Sequence, residues 1–483
     1  MVVTAYGNTN MSIPDANLPE PYRSDFEECY QVWSRNREKN AMRRAYYEGE
    51  NRLKNIGIAI PEELADLTAI VGWPRKAVDE LAKCSRLDGF THPDGADELN
   101  AIMRENGFAA KYRRLNKSEL VQGLSFVTVT RGADGEPNAR VRGYSAINAA
   151  CTWDYSLERV RCGLTVHDVD KYGNPTRYEL YEPECIVTIE RIDGGGGLVF
   201  PSTFKQWTYT ILPHQMGRPP IEPFVYDSDI DYPLGHSRIT KAVMDITDRA
   251  VRESVRTELA SEFAATPQKF LLGGTKRDKE LAIQGGTRWE MYIGSVMWFT
   301  KDKDGDVPQY GQLPQVSMTP HSEYFSHLAE EFAAETDIPI DALIRSKTYT
   351  SSESAQADRD ALVQIAEVMN EDNSHALATL ARMALAVNRN VPLDRVETGI
   401  VPVFRSPSRP SAAAQADWIT KMCATFPWMA ETEVALEKAG FTEDERIRLM
   451  SEKRRAQASE RIRAMEQAAQ AAPEPQRELG EAV

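Results

Sequence analysis

The chain has 483 residues, 42% hydrophobic and 27% charged, and its 57 Lys plus Arg stand against 72 Asp plus Glu for a net charge of -15. At roughly 150 residues per domain, that length fits about three domains or one elaborated body with appendages. The acidic balance, with a pI near 5.2, has the wrong sign for gripping nucleic acid over a broad surface, so DNA contact is expected to be local or weak. A mean hydropathy of -0.47 is that of an ordinary globular chain, and no window approaches the roughly 18 uninterrupted apolar residues of a membrane span. The N-terminus carries Pro14, Asp15 and Pro19 where a secretory signal has a basic start and an apolar core, so the chain is expected to act where it is made. Cys29, Cys84, Cys151, Cys162, Cys185 and Cys423 form no C-x-x-C pair and read as buried free thiols in a reducing compartment.

In chain order, a polar leader of about twenty residues precedes a helix over Ser24–Glu48. It carries Phe26, Tyr30, Trp33 and the Arg43/Arg44/Tyr46/Tyr47 group at helical spacing and stops at Gly49. Helices are also expected over Pro74–Leu81, Ala96–Asn106 and Lys111–Gly123, the last leading into a strand at Val127–Thr130. From residue 124 to 226 the period changes to β-rich runs, Arg140–Arg142, Leu164–Val166, Ile186–Ile189 and Trp207–Thr210. Turns at Asp134-Gly135, Gly173-Asn174 and Gly194–Gly197 separate them, which predicts a mostly antiparallel sheet.

A Pro-rich bridge, Pro213–Pro233, leads to a helix over Thr240–Ala265. Ile239, Val243, Ile246, Ala250, Val255, Leu259 and Phe263 form its apolar face, opposite a densely charged one. Residues 267–318 read as a compact insert of short strands, Phe270–Leu272, Trp289–Ile293 and Val296–Phe299. A returning helix, Pro320–Thr336, has Phe325, Leu328 and Phe332 on one stripe and breaks at Asp337-Ile338-Pro339. Thr350-Ser351-Ser352-Glu353 has the spacing of a capping box and opens a helix to about Val387, with Leu362, Ile365, Met369, Ala376, Leu380, Met383 and Val387 buried. Pro402, Pro407 and Pro410 mark a linker, Ala412–Met465 is expected to be helical throughout, and the residues from Pro473 onward to be disordered.

Motifs that carry chemistry are scarce. Asp302, Asp304 and Asp306 lack the glycine and the terminal glutamate at the positions a calcium-hand loop needs, and read as a hairpin turn. His321 and His327 are six apart, off the one-face spacing of a helical metal pair, so with Glu323 they read as a solvent-facing helix start. Gly194–Gly197 and Gly273-Gly274-Thr275-Lys276 complete no phosphate-binding motif. G-x-S-x-G, H-E-x-x-H and G-x-G-x-x-G do not occur, so the chain is expected not to be an enzyme, with no cofactor and no metal. Two cationic features remain. Arg446, Arg448, Lys453, Arg454 and Arg455 make a basic helical stretch that reads either as a solvated face or as a contact for DNA or an acidic partner. Arg345, Lys347 and Tyr349 lie in a short loop between two helices.

The order of elements, with Arg43-Arg44-Ala45-Tyr46-Tyr47-Glu48-Gly49, Leu87-Asp88-Gly89-Phe90, Gly235-His236-Ser237-Arg238-Ile239-Thr240, Ala265-Thr266-Pro267-Gln268 and Thr336-Asp337-Ile338-Pro339, resembles tailed-bacteriophage portal proteins, specifically those of siphoviruses of actinobacteria. The resemblance covers nearly the whole chain and implies an α+β, multi-domain subunit. Its parts would be a wing (residues 1–235 and a spine helix over 354–402), stem helices (236–266 and 319–340), a small β-rich clip (267–318), a tunnel loop (341–353), an α-helical crown (411–468) and a disordered tail (469–483). It implies a twelve-subunit ring at one capsid vertex through which double-stranded DNA is packaged and ejected, present in the virion and, during assembly, in the host cytoplasm. The implied partners are the terminase large subunit, the head–tail adaptor protein, the major capsid protein and a scaffold protein, with no membrane. By the same resemblance Arg345, Lys347 and Tyr349 line the DNA channel, and Trp298, Phe299, Lys301 and Lys303 of the clip face a partner. The other readings are a non-enzymatic cytosolic scaffold or adaptor, and a hydrolase using His167 with Asp168 or Asp170.

Overall fold

A computed structural model of the chain describes residues 17–51, 69–171, 173–192, 206–265, 269–272, 309–312, 317–344, 359–408, 412–441 and 443–471. Helices and antiparallel sheets are mixed, as expected for an α+β chain, and two compact units divide between Pro407 and Ser408, within the expected linker.

The first unit opens with helices α1 (Tyr22–Glu48) and α2 (Trp73–Cys84), strand β1 (Leu87–Thr91), and helices α3 (Asp97–Glu105) and α4 (Phe108–Gln122). Strands β2 (Leu124–Arg131), β3 (Ala139–Ser145), β4 (Ala149–Asp154), β5 (Arg159–Val169), β6 (Pro175–Tyr181), β7 (Cys185–Ile192), β8 (Gln206–Pro213) and β9 (Ile221–Val225) follow. Helix α5 (Lys241–Ala265), strands β10 (Lys269–Leu272) and β11 (Gln309–Gln312), helices α6 (Thr319–Thr336) and α7 (Asp360–Arg389) and strand β12 (Val401–Phe404) complete it.

Four cores organise the described elements, one of them, with Phe126, Cys151, Tyr181 and Ile221, between the two larger sheets. Phe26, Cys29, Tyr30 and Trp33 recur along one face of α1 and pack on Leu164, Tyr178, Leu180 and Val187 of a five-stranded antiparallel sheet, order β4-β5-β6-β7-β8. Gly49 ends α1 at φ 74°, a left-handed cap in which Gly49 N–H reaches the Tyr46 carbonyl and Glu50 N–H the Ala45 carbonyl. A second core joins α3, α4 and the C-terminal half of α7 to a three-stranded sheet, order β3-β2-β9. A third joins α2, α5, α6 and the N-terminal half of α7, where the Trp73 ring lies tilted at 5.1 Å from Phe325 and 5.5 Å from Phe332. Helix α7 thus passes from one core to another, with Leu362, Met369, Ala376, Leu380 and Met383 buried at the expected spacing.

Several expectations need correction. The Pro-rich bridge contains β9, whose Pro223 opposes Phe126 of β2; β9 is the edge of its sheet, where a missing N–H costs no ladder bond. Pro402 lies within β12, not in a linker, and opposes Phe90 of β1. Strand β11, opposite β10, was not expected; the expected strands Trp289–Ile293 and Val296–Phe299 and the Thr350–Glu353 capping box lie outside the described residues. So do residues 472–483, and with them most of the expected disordered tail.

The second unit is not helical throughout. Helix α8 (Ala412–Thr425) is followed by a 3-10 turn (Pro427–Glu431), the short helix α9 (Glu433–Lys438) and helix α10 (Glu443–Ala471). Pro427 begins the first interruption, and Gly440, at φ 89°, lies in the second.

Candidate functional site

The helix pair α5 and α6 carries the chain out to residues 269–312 and back, so its base is the junction on which that excursion depends. Thr240 Oγ1 accepts from the Val243 amide at 3.1 Å and caps α5, with the apolar run Val243, Ile246 and Ala250 buried below it. Contacts that rise along α5 as they fall along α6 make the pair antiparallel. Thr240 Oγ1 donates to Glu335 at 3.1 Å, Arg249 bonds Glu331 at 2.6 Å, and His321 Nδ1 lies 2.6 Å from Glu253 Oε1. The Arg249 hydrogen bond holds the Glu331 carboxyl below the usual range.

Three of the segments that carry the sequence resemblance meet here, while residues 266–268 of a fourth lie outside the described residues. In Gly235–Thr240, Ser237 Oγ donates to the Val121 carbonyl at 2.6 Å and accepts from the Ile239 amide at 3.0 Å. The buried guanidinium of Arg238 donates to the carbonyl of Ala77 at 2.9 Å, to the Tyr226 hydroxyl at 3.0 Å, and to the carbonyl of Thr336. Thr336 ends α6, and the next residue, Asp337, turns the chain at φ 50° before Ile338 returns to the core. From the end of α1, the Tyr46 hydroxyl donates to both carboxylate oxygens of Asp248 on α5 at 3.0 Å, and Arg43 to the Gln122 carbonyl at 2.8 Å. Burial raises the Asp248 carboxyl, against the lowering effect of the Tyr46 and Asn51 hydrogen bonds. Burial also pushes the Arg43 guanidinium down to about 10. In Leu87–Phe90, Asp88 pairs with Arg405 at 2.9 Å, beside the β1–β12 ladder.

The outer surface of α6 is acidic. Glu323 and Glu330, seven residues apart and so on one face, are exposed, as are Glu335 and Asp337.

Arg345, Lys347 and Tyr349, and Trp298, Phe299, Lys301 and Lys303, lie outside the described residues. The basic stretch on α10 is described, and it divides. Arg446 is buried and pairs with Glu437 of α9 at 3.2 Å, while Lys453, one helical repeat on, donates to the Glu431 carbonyl at 3.0 Å. Arg448, Arg454 and Arg455 are exposed. Two of the five cations that suggested a partner contact are therefore committed inside the unit.

His321 is not a plain solvent-facing helix start, since it closes on buried Glu253; among the described residues no cluster is placed to hold a metal ion. His167 meets Glu179 and Thr165, each at 2.9 Å, whereas Asp170 pairs with Arg191 at 3.1 Å and Asp168 is exposed, so the three form no triad-like set. Four thiols are buried, Cys84 and Cys423 are half-buried, and all six are free. No helix among the described residues is long and apolar enough to cross a membrane. Sequence reasoning missed Asp248, Glu253 and Trp73 as parts of the junction; an acidic residue on an otherwise buried stripe, Glu253 between Ala250 and Val255, was the available signal.

Comparison with known proteins places the chain. The model of the family "Phage portal protein, SPP1 Gp6-like" matches residues 27–471. The portal protein of Mycobacterium phage L5 is 27% identical over 423 residues, covering 83% of this chain and 82% of the relative. That of Mycobacterium phage D29 is 25% identical over 421 residues, with the same coverage. A chain in the solved structure "Virion of native gene transfer agent (GTA) particle" aligns at a TM-score of 0.45 and 14% identity, covering 81% of this chain and 89% of its own length. With the family match running from α1 to the end of α10, across both units, the chain belongs to the phage portal protein family.

Proposed function

We propose that the chain is the subunit of a twelve-membered portal ring at one vertex of a phage capsid, the conduit for double-stranded DNA during packaging and ejection. The observation that carries the reading is the antiparallel pair α5/α6, anchored at its base by the segments Gly235–Thr240 and Thr336–Pro339, in a chain that matches the portal family over most of its length. In this reading α5 and α6 are the stem helices, residues 267–318 the clip, 341–353 the tunnel loop, 411–468 the crown, and 1–235 with 354–402 the wing. Twelve helices about 10 Å wide, side by side, give a circumference of about 120 Å and an opening a little under 30 Å, enough for duplex DNA. The acidic face of α6 and the net charge of -15 suit a wall that lets DNA slide, because it offers phosphates no counter-charge to hold.

Arg345, Lys347 and Tyr349 then supply a local ring of phosphate contacts, and Trp298, Phe299, Lys301 and Lys303 the docking face for the terminase large subunit and later the head–tail adaptor. The major capsid protein and a scaffold protein surround the ring, which ends in the virion. The protein supplies a channel rather than a reaction. Native mass spectrometry with negative-stain imaging tests the reading. A particle of about 650 kDa, twelve copies of 54.2 kDa, with a central hole is expected. A stable dimer without a hole would instead indicate an adaptor.

A further inference from the structure

Between the three-stranded sheet, the five-stranded sheet and the C-terminal end of α7 lies a cavity of about 460 Å3 that the portal reading does not use. Four guanidinium groups line it. Arg131 comes from the end of β2, Arg140 and Arg142 sit two residues apart and therefore on one face of β3, and Arg177 comes from β6. Glu179 lines it too, but is already committed to His167 at 2.9 Å, Tyr181 at 2.8 Å and Arg177 at 3.1 Å. Burial alone would raise its carboxyl, yet His167 foremost, then Tyr181 and Arg177, hold it down at about 2. Arg140 pairs with Glu136 at 2.8 Å and Arg177 also with Glu190 at 3.1 Å.

The remaining two cations differ. Arg142 is half-buried and Arg131 exposed, and neither makes an ion pair among the described residues. Arg177 Nε is buried without a hydrogen-bond partner. In a chain of net charge -15, this is a local reversal of sign.

The rest of the wall is mixed, with Leu212, Met216 and Val387 beside the polar Thr130, Thr188 and Gln215. Leu212 is 55% exposed and belongs to β8, the edge strand of its sheet, on which Tyr209 and Ile211 are exposed as well. An edge strand offers a row of backbone donors and acceptors to any extended chain laid against it.

We propose that the cavity and the adjoining edge of β8 form a docking site for an acidic peptide segment of a partner protein, added as a strand along β8 with an apolar side chain on Leu212 and carboxylates on Arg131 and Arg142. The mixed wall favours peptide over nucleic acid, because the cavity admits a few side chains and not a duplex, and Leu212, Met216 and Val387 suit an apolar side chain rather than a phosphate. The site lies outside the helix pair and does not depend on the ring reading.

The test uses the full chain and a fluorescein-labelled peptide of about ten residues alternating Glu and Leu, followed by fluorescence anisotropy. Saturable binding is expected, weakening with added salt and dropping roughly ten-fold or more in R131E/R142E and in L212D. Arg131→Gln, at an exposed position that keeps the fold, is expected to weaken binding roughly three-fold. A matched Lys-Leu peptide is expected not to bind. Absence of binding, equal binding by R131E/R142E or by L212D, or displacement of the peptide by inorganic phosphate or a duplex oligonucleotide overturns the proposal. A change in oligomer mass caused by R131E/R142E would set this face against a second copy of the chain and overturn it too.

Discussion

The guanidinium of Arg238 donates to the main-chain carbonyl of Thr336, so one buried side chain at the start of α5 holds the last residue of α6. Among the described residues no carboxylate pairs with it; carbonyl and hydroxyl oxygens of Ala77, Tyr226 and Thr336 do the solvating. Replacing it with an isosteric apolar chain, Arg238→Met, leaves those acceptors without their donor and is expected to cost about 2–4 kcal/mol, read as a lower thermal midpoint. Arg238→Lys keeps the charge but not the planar fork and should recover less than half of the loss. An unchanged midpoint in Arg238→Met would show that the latch is dispensable.

Gly235, three residues earlier, sits at φ 66°, and a Cβ built there would lie 2.3 Å from the Tyr226 carbonyl oxygen and 2.5 Å from Val225. Backbone cannot swing aside as a side chain can. Gly235→Ala is therefore expected to destabilise the first unit by about 2–3 kcal/mol, with hydrogen exchange quickened first around Ser237–Thr240. Wild-type exchange at those amides would refute this.

Further along the pair, His321 closes on Glu253, which is only 4% exposed. His321→Ala leaves the buried Glu253 without its hydrogen-bond partner, with Arg256 at 3.6 Å. A loss of about 1–2 kcal/mol is expected, and Glu253→Gln in the same chain should restore part of it, since an amide is cheaper to leave buried than a charge. Additive losses in the double variant would contradict the pairing.

Glu119 lies fully buried on α4, where its carboxylate accepts from Asn373 Nδ2 at 3.0 and 3.2 Å. Burial raises its carboxyl from 4.5 to about 8. The folded state therefore binds a proton that the unfolded chain releases. Its contribution is fully present below pH 4.5 and is lost as the pH rises through about 8. Glu119→Gln should be nearly neutral at pH 5 and stabilising, by about 1–3 kcal/mol, at pH 8. Identical pH profiles for the two proteins in denaturant melts would exclude the effect.

In the second unit the two classes of α10 cation should separate experimentally. Arg446→Ala removes the partner of Glu437 from a buried position and is expected to lower the stability of the unit by about 1–3 kcal/mol. The triple replacement of Arg448, Arg454 and Arg455 by Ala should leave the melting of that unit within about 0.5 kcal/mol of wild type, because all three are exposed. A reversed pattern would mean that the burial assignment on α10 is wrong.

Most long helices were legible because their signals are local. Gly49 ends α1, Thr240 caps α5, and Asp337-Ile338-Pro339 ends α6, each within a few residues of the apolar run it punctuates. Strands β9 and β12 were not legible, since Pro223 and Pro402 read as breakers until one knows that each lies at a sheet edge, and edges are set by pairing with residues far away in sequence. The same non-locality hid the junction. Arg238 was visible within its segment, but its partners Ala77 and Thr336 are 161 and 98 residues distant. On α10 the periodicity counted the cations correctly and could not tell that Arg446 and Lys453 turn toward α9 and the 3-10 turn before it.

The ladder between β1 and β12 pairs residues 87–91 with 401–404, so the whole excursion through α5, the insert and α6 is bracketed by two stretches of chain that are stitched to each other. A pull on the helix pair enters the first unit through residues 240 and 336, where the Thr240 hydroxyl bonds Glu335 and Arg238 holds the Thr336 carbonyl. Tension is then shared between two strands of the same loop rather than passed along a single one.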